Sequence, residues 1–140
     1  MGNLTNLKKQ HTEVLELIKN IEKLSYPNMK EEAASEIAYC INTLSGKLKM
    51  HLLSEDKFLY PHLLNHQNKA IKDTAHRFNT EMSGLSEQLK DFVSQYNTPA
   101  KILQNKNEFM AKSPEVFRLI RERIKKEDHD LYPLLDESSF

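Results

Sequence analysis

The stretch His51–Leu64, HLLSEDKFLYPHLL, decides the fold, because the chain carries a second version of it 72 residues further on. That second copy, Arg123–Leu135, reads RIKKEDHDLYPLL. Aligned, the two share a Glu-Asp pair (Glu55-Asp56 and Glu127-Asp128), a Leu-Tyr-Pro triplet (Leu59 to Pro61 and Leu131 to Pro133) and a following leucine. Such a repeat in a helical chain points to a pseudo-twofold bundle in which one acidic residue from each half meets the other in the middle. The copies differ at one position that matters chemically: His51 stands four residues before Glu55, whereas Arg123 stands four before Glu127.

Outward from the repeat, apolar residues recur at alternating steps of three and four, the spacing of one helix face, and no strand pattern interrupts them. Helix 1 carries Leu4, Leu7, His11, Val14, Ile18 and Ile21 on one seam and stops at Ser25-Tyr26-Pro27-Asn28. Helix 2 carries Ile37, Ile41, Leu44, Leu48, His51, Glu55, Phe58 and His62, with Pro61 bending or closing its last turn. Helix 3 runs from about Lys69 to Tyr96 on Ile71, Ala75, Phe78, Met82, Leu85, Leu89 and Phe92. Thr98 and Pro99 read as the cap and first-turn proline of a short connecting helix. Ser113-Pro114-Glu115 repeats that signal and is expected to open helix 4, with Phe117, Ile120, Ile124, Glu127, Leu131 and Leu134 as its seam. The tail Asp136–Phe140 is expected to be loose. Four amphipathic helices with mostly short connections predict an all-α, antiparallel up-down four-helix bundle.

At 140 residues the chain fits a single domain, 1–140, able to bury roughly two thirds of its unfolded surface. Twenty basic residues balance twenty acidic ones, so no global field draws nucleic acid or an anionic membrane. The run RERIKK (Arg121–Lys126) is most simply a solvated helix face. Met1–Gln10 lacks an apolar signal core and no 18-residue apolar run exists, so neither secretion nor membrane spanning is expected. The one cysteine, Cys40, sits in an apolar pattern and reads as a core thiol, which favours a reducing cytoplasm. No nucleophile triad, phosphate loop, CxxC pair or dinucleotide motif is present.

His11, His51, Glu55 and Glu127 each fall on the apolar seam of a helix, where an unpaired polar group costs several kcal/mol. His51 and Glu55, four apart, stack on one face and can reach one ion. Imidazoles and carboxylates converging from several bundle helices are a donor set for iron or manganese. His62 and His66, at the C-terminal end of helix 2, and His129, out of phase with Glu127, read as surface residues. Tyr60 and Tyr132 read as packing elements of the Tyr-Pro repeat, with redox participation of a tyrosine near iron as the alternative.

Across almost its whole length the chain resembles the hemerythrin-like family of His and Glu cation-binding (HHE) four-helix bundles. Family members place a His on helix 1, HxxxE on helix 2, a His on helix 3 and HxxxE or an Asp variant on helix 4, with Tyr-Pro or Phe-Pro after each acidic residue. By position, His11 matches the helix 1 ligand, His51 and Glu55 the helix 2 pair, His76 the helix 3 ligand and Glu127 the helix 4 carboxylate. The resemblance implies iron, one ion or two, with manganese as the alternative, and a small diatomic ligand or peroxide. In the family two carboxylates bridge two irons; here Arg123 stands where the second iron's helix 4 histidine belongs, and a guanidinium cannot deprotonate to ligate. His76 lies two residues before Phe78 and so points roughly 160° from the seam; its depth suits a ligand, a bulge would rotate it inward, and Glu81, nearer the seam, is the alternative.

One divalent ion, two carboxylates and Arg123 nearly balance in charge, whereas two irons need a further anionic bridge. The expectation is therefore a bundle with one metal position kept and the other taken by the guanidinium, which hydrogen-bonds both oxygens of Glu55 or Glu127. Three uses stay open: binding or sensing dioxygen, nitric oxide or peroxide; turnover of peroxide or nitric oxide with Arg123 steadying a bound anion; and a metal-free regulatory or protein-interaction module.

Overall fold

The computed structural model describes residues 2–137, and among them every regular element is helical. Four long helices, α1 (Gly2–Ser25), α2 (Ala34–Ser54), α4 (Lys69–Tyr96) and α6 (Lys106–Lys126), form the bundle. Two short helices, α3 (Tyr60–Leu64) and α7 (Pro133–Glu137), extend α2 and α6, and α5 (Pro99–Gln104) connects α4 to α6. Asn68 caps α4 by accepting from the amides of Ala70 and Ile71, and Thr98 caps α5 by accepting from that of Lys101, as the cap signals require. Residues 138–140 of the tail expected to be loose lie outside the described residues, and Asp136 and Glu137 belong to α7.

The repeat takes a form that helical spacing alone does not reveal. Glu55–Leu59 and Glu127–Leu131 are each a single π turn. The Tyr60 and Tyr132 amides reach back five residues to the carbonyls of Glu55 and Glu127. Pro61 and Pro133 supply the reason: each lacks an N–H and crowds the carbonyl four residues before it, so the turn ahead of it widens. The extra residue advances the inward face by one. Leu59, Tyr60 and Leu63 are therefore buried, while Phe58, expected on the seam, is exposed and His62 half-buried. In the second copy Leu131, Tyr132 and Leu135 are buried and Leu134 only partly so.

Helix 4 also starts earlier than expected. Ser113-Pro114 is no N-terminus, because α6 begins at Lys106 and carries Pro114 inside it. A proline there strips the Met110 carbonyl of its helical donor. The Tyr26 hydroxyl replaces that donor at 2.7 Å and lies 3.0 Å from Ser113 Oγ, which is fully buried.

The core divides into two apolar layers. The larger gathers Val14, Ile18, Ile21, Ile41, Leu44, Phe92, Phe109 and Phe117 with their neighbours, and includes the buried thiol of Cys40. The smaller holds Leu7, Leu59, Leu63, Ile71, Phe78, Leu131 and the two repeat tyrosines. Between Leu7 and Val14 on α1, and between Leu48 on α2 and Leu59 at the end of the first π turn, the seam residues are polar. That polar level is the candidate site. No helix among the described residues is long and apolar enough to cross a membrane.

Candidate metal centre

His11 from α1, His51 from α2, Glu55 at the head of the first π turn and Glu127 at the head of the second meet at this level, each at most 3% exposed. One donor atom from each lies within 4.8 Å of the other three. The two Nε2 atoms stand 3.2 Å apart. Glu127 Oε1 lies 2.8 Å from His11 Nε2 and 3.3 Å from His51 Nε2, and Glu55 Oε2 lies 3.1 Å from His51 Nε2.

The outer nitrogens explain this orientation. His11 Nδ1–H donates to Asp128 Oδ1 at 2.9 Å, and His51 Nδ1–H donates to Gln10 Oε1 at 2.8 Å. An imidazole whose Nδ1 carries the proton presents a lone pair at Nε2, and outer acceptors of this kind fix the tautomer and raise the basicity of metal-ligating histidines. Two such lone pairs and two carboxylates pointing at one another repel unless a cation joins them. Glu55 Oε1 is in addition buried with no hydrogen-bond partner. Two imidazole nitrogens, two carboxylates and an orphaned carboxylate oxygen fit a divalent transition-metal ion.

In the metal-free protein a proton serves instead. Burial presses His51 toward its neutral form, but hydrogen bonds with Glu127 and Glu55 and the charges of both outweigh it and push the imidazole up to about 9. Burial also opposes the charge on Glu127, yet its hydrogen bonds with His11 and His51 and the charges of His51 and Arg123 hold it well below the carboxylate range. Glu55 goes the other way, raised first by burial and then by the charge of Glu127.

Arg123 occupies the other half of the pseudo-twofold. Its Nε donates to Glu127 Oε2 at 2.9 Å, the i,i+4 counterpart of the His51–Glu55 contact. Its Nη2 donates to the Phe78 carbonyl at 2.8 Å and to the Tyr60 hydroxyl at 3.3 Å, and the guanidinium lies 4.7 Å from the centre of the Phe78 ring. The expected double contact to one carboxylate does not form. Glu127 instead splits its oxygens, Oε2 to Arg123 and Oε1 to the histidines.

His76, the helix 3 ligand that the resemblance implied, is not brought to the cluster: it is exposed on α4. The physical reason is its phase, since Ala75, Phe78 and Met82 take the inward positions of an unbroken α-helix. Glu81 comes closer, at 3.6 Å from Arg123 Nη1, but pairs with that cation from a half-exposed position. His129 is exposed, and His62 and His66 are partly buried at the end of α3. Sequence reading passed over Gln10, Asp128 and the inward role of Tyr132. A signal for Asp128 was available, because the Glu-Asp pair recurs whole in both copies.

A small cavity opens beside the cluster. Leu48, Met82, Leu85, Leu89, Ile120 and Ile124 line it together with His11, His51, Arg123 and Glu127, around a volume of about 20 Å³. About 10–15 Å³ accommodates one water, so the space suits a water or a diatomic molecule.

A helical bundle with imidazoles and carboxylates turned inward at one level defines a cation-binding helical protein. The family model of the hemerythrin HHE cation binding domain matches residues 3–135, and the chain belongs to that family. No curated protein and no solved structure gives a significant match.

Proposed function

We propose that this chain is a non-haem iron protein with a one-metal site that binds or senses dioxygen, nitric oxide or peroxide. The observation that carries the reading is the convergence of His11, His51, Glu55 and Glu127 beside a mostly apolar cavity of diatomic size. Iron would be held by those four residues and would supply a Lewis-acidic, redox-active position. Asp128 and Gln10 orient the imidazoles, Arg123 neutralises one oxygen of Glu127, and the leucines and isoleucines of the cavity exclude bulk water. Manganese accepts the same donors and is the alternative ion.

Arg123 makes reversible dioxygen carriage of the two-iron kind a poor fit, because that chemistry shares two electrons between two metals. Sensing, or slow turnover of peroxide or nitric oxide with Arg123 steadying an anion, fits better. Residues 1–140 then act as one domain, and the lone buried Cys40 agrees with a cytoplasmic location.

The test is anaerobic ferrous loading followed by nitric oxide. One ferrous-nitrosyl centre per chain, detected by electron paramagnetic resonance and abolished in His51→Ala, is the expected result. Iron that binds without forming a nitrosyl refutes the diatomic ligand, and a chain that takes up no metal is the metal-free interaction module instead.

A further inference from the structure

Resting on the metal site proposed above, we propose that Tyr132 is a fifth protein ligand of that site, its phenol oxygen binding the same ion as His11, His51, Glu55 and Glu127. The phenol oxygen stands 3.0 Å from Glu55 Oε2, 3.1 Å from His11 Nε2, 3.3 Å from His51 Nε2 and 3.3 Å from Glu127 Oε1. Nitrogen and oxygen donors held about 2.0–2.2 Å from one small ion stand about 3.0–3.5 Å apart at angles of about 90–110°. The phenol meets that spacing with every member of the cluster.

Hydrogen bonding alone accounts for this position only while His51 carries a proton on Nε2, and not once a metal has replaced that proton. The phenol has one proton, and Glu55 Oε2, its nearest contact, takes it. The other three contacts are then with a carboxylate oxygen and with two imidazole nitrogens that present lone pairs when Nδ1 is protonated from outside. Once a metal takes the place of the proton that His51 otherwise carries, the hydroxyl faces four lone-pair atoms, which is the environment of a donor atom in a coordination shell. Packing holds the ring there: Tyr132 is 1% exposed and stacks on His11 with centroids 5.2 Å apart and planes 13° from parallel.

The repeat provides an internal control. Tyr60 is the counterpart of Tyr132 and Arg123 that of His51, and the Tyr60 hydroxyl lies 3.3 Å from Arg123 just as that of Tyr132 lies 3.3 Å from His51. Each Tyr-Pro turn thus delivers its phenol to the cation of the other half, a guanidinium in one case and a metal ion in the other. When Tyr132 binds ferric iron, the phenol O–H bond breaks and an oxygen–iron bond forms. The phenol proton is released to the buffer in exchange for the metal, and no electron is transferred.

The experiment loads the full chain with ferric citrate, removes unbound iron and records iron content, visible absorption and resonance Raman spectra. Wild type should show a phenolate-to-iron charge-transfer band with enhanced tyrosine ring modes that shift on ring deuteration of tyrosine. Tyr60→Phe should keep the band and Tyr132→Phe should lose it. Because the wild-type band and its persistence in Tyr60→Phe are read independently, the outcome does not depend on Tyr132→Phe folding. Iron bound without a phenolate band, or a band that survives in Tyr132→Phe, overturns the ligand assignment and leaves the four-residue site standing. Absence of iron from wild type overturns both, and elemental analysis separates the two cases.

Discussion

Replacing Arg123 with methionine tests the claim that its guanidinium is a structural cation built into the site. Methionine keeps much of the aliphatic stem but removes the donors to Glu127 Oε2, the Phe78 carbonyl and Tyr60, together with the contact over the Phe78 ring. Removing one partner of a buried ion pair costs about 3–5 kcal/mol, because the other charge is left uncompensated. The lower end of that range applies here, since Oε1 of Glu127 keeps its contacts with His11 and His51 and the thioether fills part of the space. A loss of about 3 kcal/mol in a domain of this size lowers Tm by roughly 10 °C, at about 2–4 °C per kcal/mol. The assay is thermal unfolding of the metal-stripped protein followed by circular dichroism at 222 nm or equivalent, with Glu81→Gln as control. Glu81 reaches Arg123 only from a half-exposed position, and such a pair contributes at most about 1 kcal/mol. A fall of less than about 3 °C in Arg123→Met, or an equal fall in both variants, would refute the reasoning.

Two further outcomes follow from the orienting groups and the protonated cluster. Asp128→Ala removes the acceptor that fixes the His11 tautomer and should weaken iron or manganese binding about 10–100-fold in a chelator competition, with circular dichroism unchanged; undiminished affinity would mean that Asp128 is only a surface contact. In the metal-free protein His51 is raised from an unfolded value of about 6.5 to about 9, so its contribution to stability is complete below about pH 6.5 and is lost as pH rises through about 9. Denaturant midpoints of stripped protein should fall across that interval and should fall less when metal has replaced the proton; a flat or rising profile would contradict the charge assignment.

How far the sequence was legible depends on what each part of it encodes. Periodicity carried the long helices well: α4 begins and ends where the apolar pattern places it. It failed at Pro114, because a proline after a serine looks the same whether it opens a helix or sits inside one, and the difference lies in Tyr26, remote in sequence and close in space to the Met110 carbonyl. It held at Leu131 but missed by one residue at Phe58, His62 and Leu134, whose following neighbours Leu59, Leu63 and Leu135 are the buried ones, since a π turn changes the phase without changing the composition. His11, His51, Glu55 and Glu127 were legible as a set because polar residues on an apolar seam demand compensation. Tyr132 was not, for a buried tyrosine fits an apolar pattern equally well whether its hydroxyl meets solvent, backbone or a metal site.

The central claim is one metal position filled by metal and the other by Arg123. Elemental analysis after anaerobic ferrous loading, with wild type and Arg123→His side by side, tests it most directly. About one iron per wild-type chain is expected, rising toward two where a histidine replaces the guanidinium. Two irons in wild type would mean that another residue completes the second position and that Arg123 does not stand in for an ion, while no iron in either chain would contradict a metal site altogether.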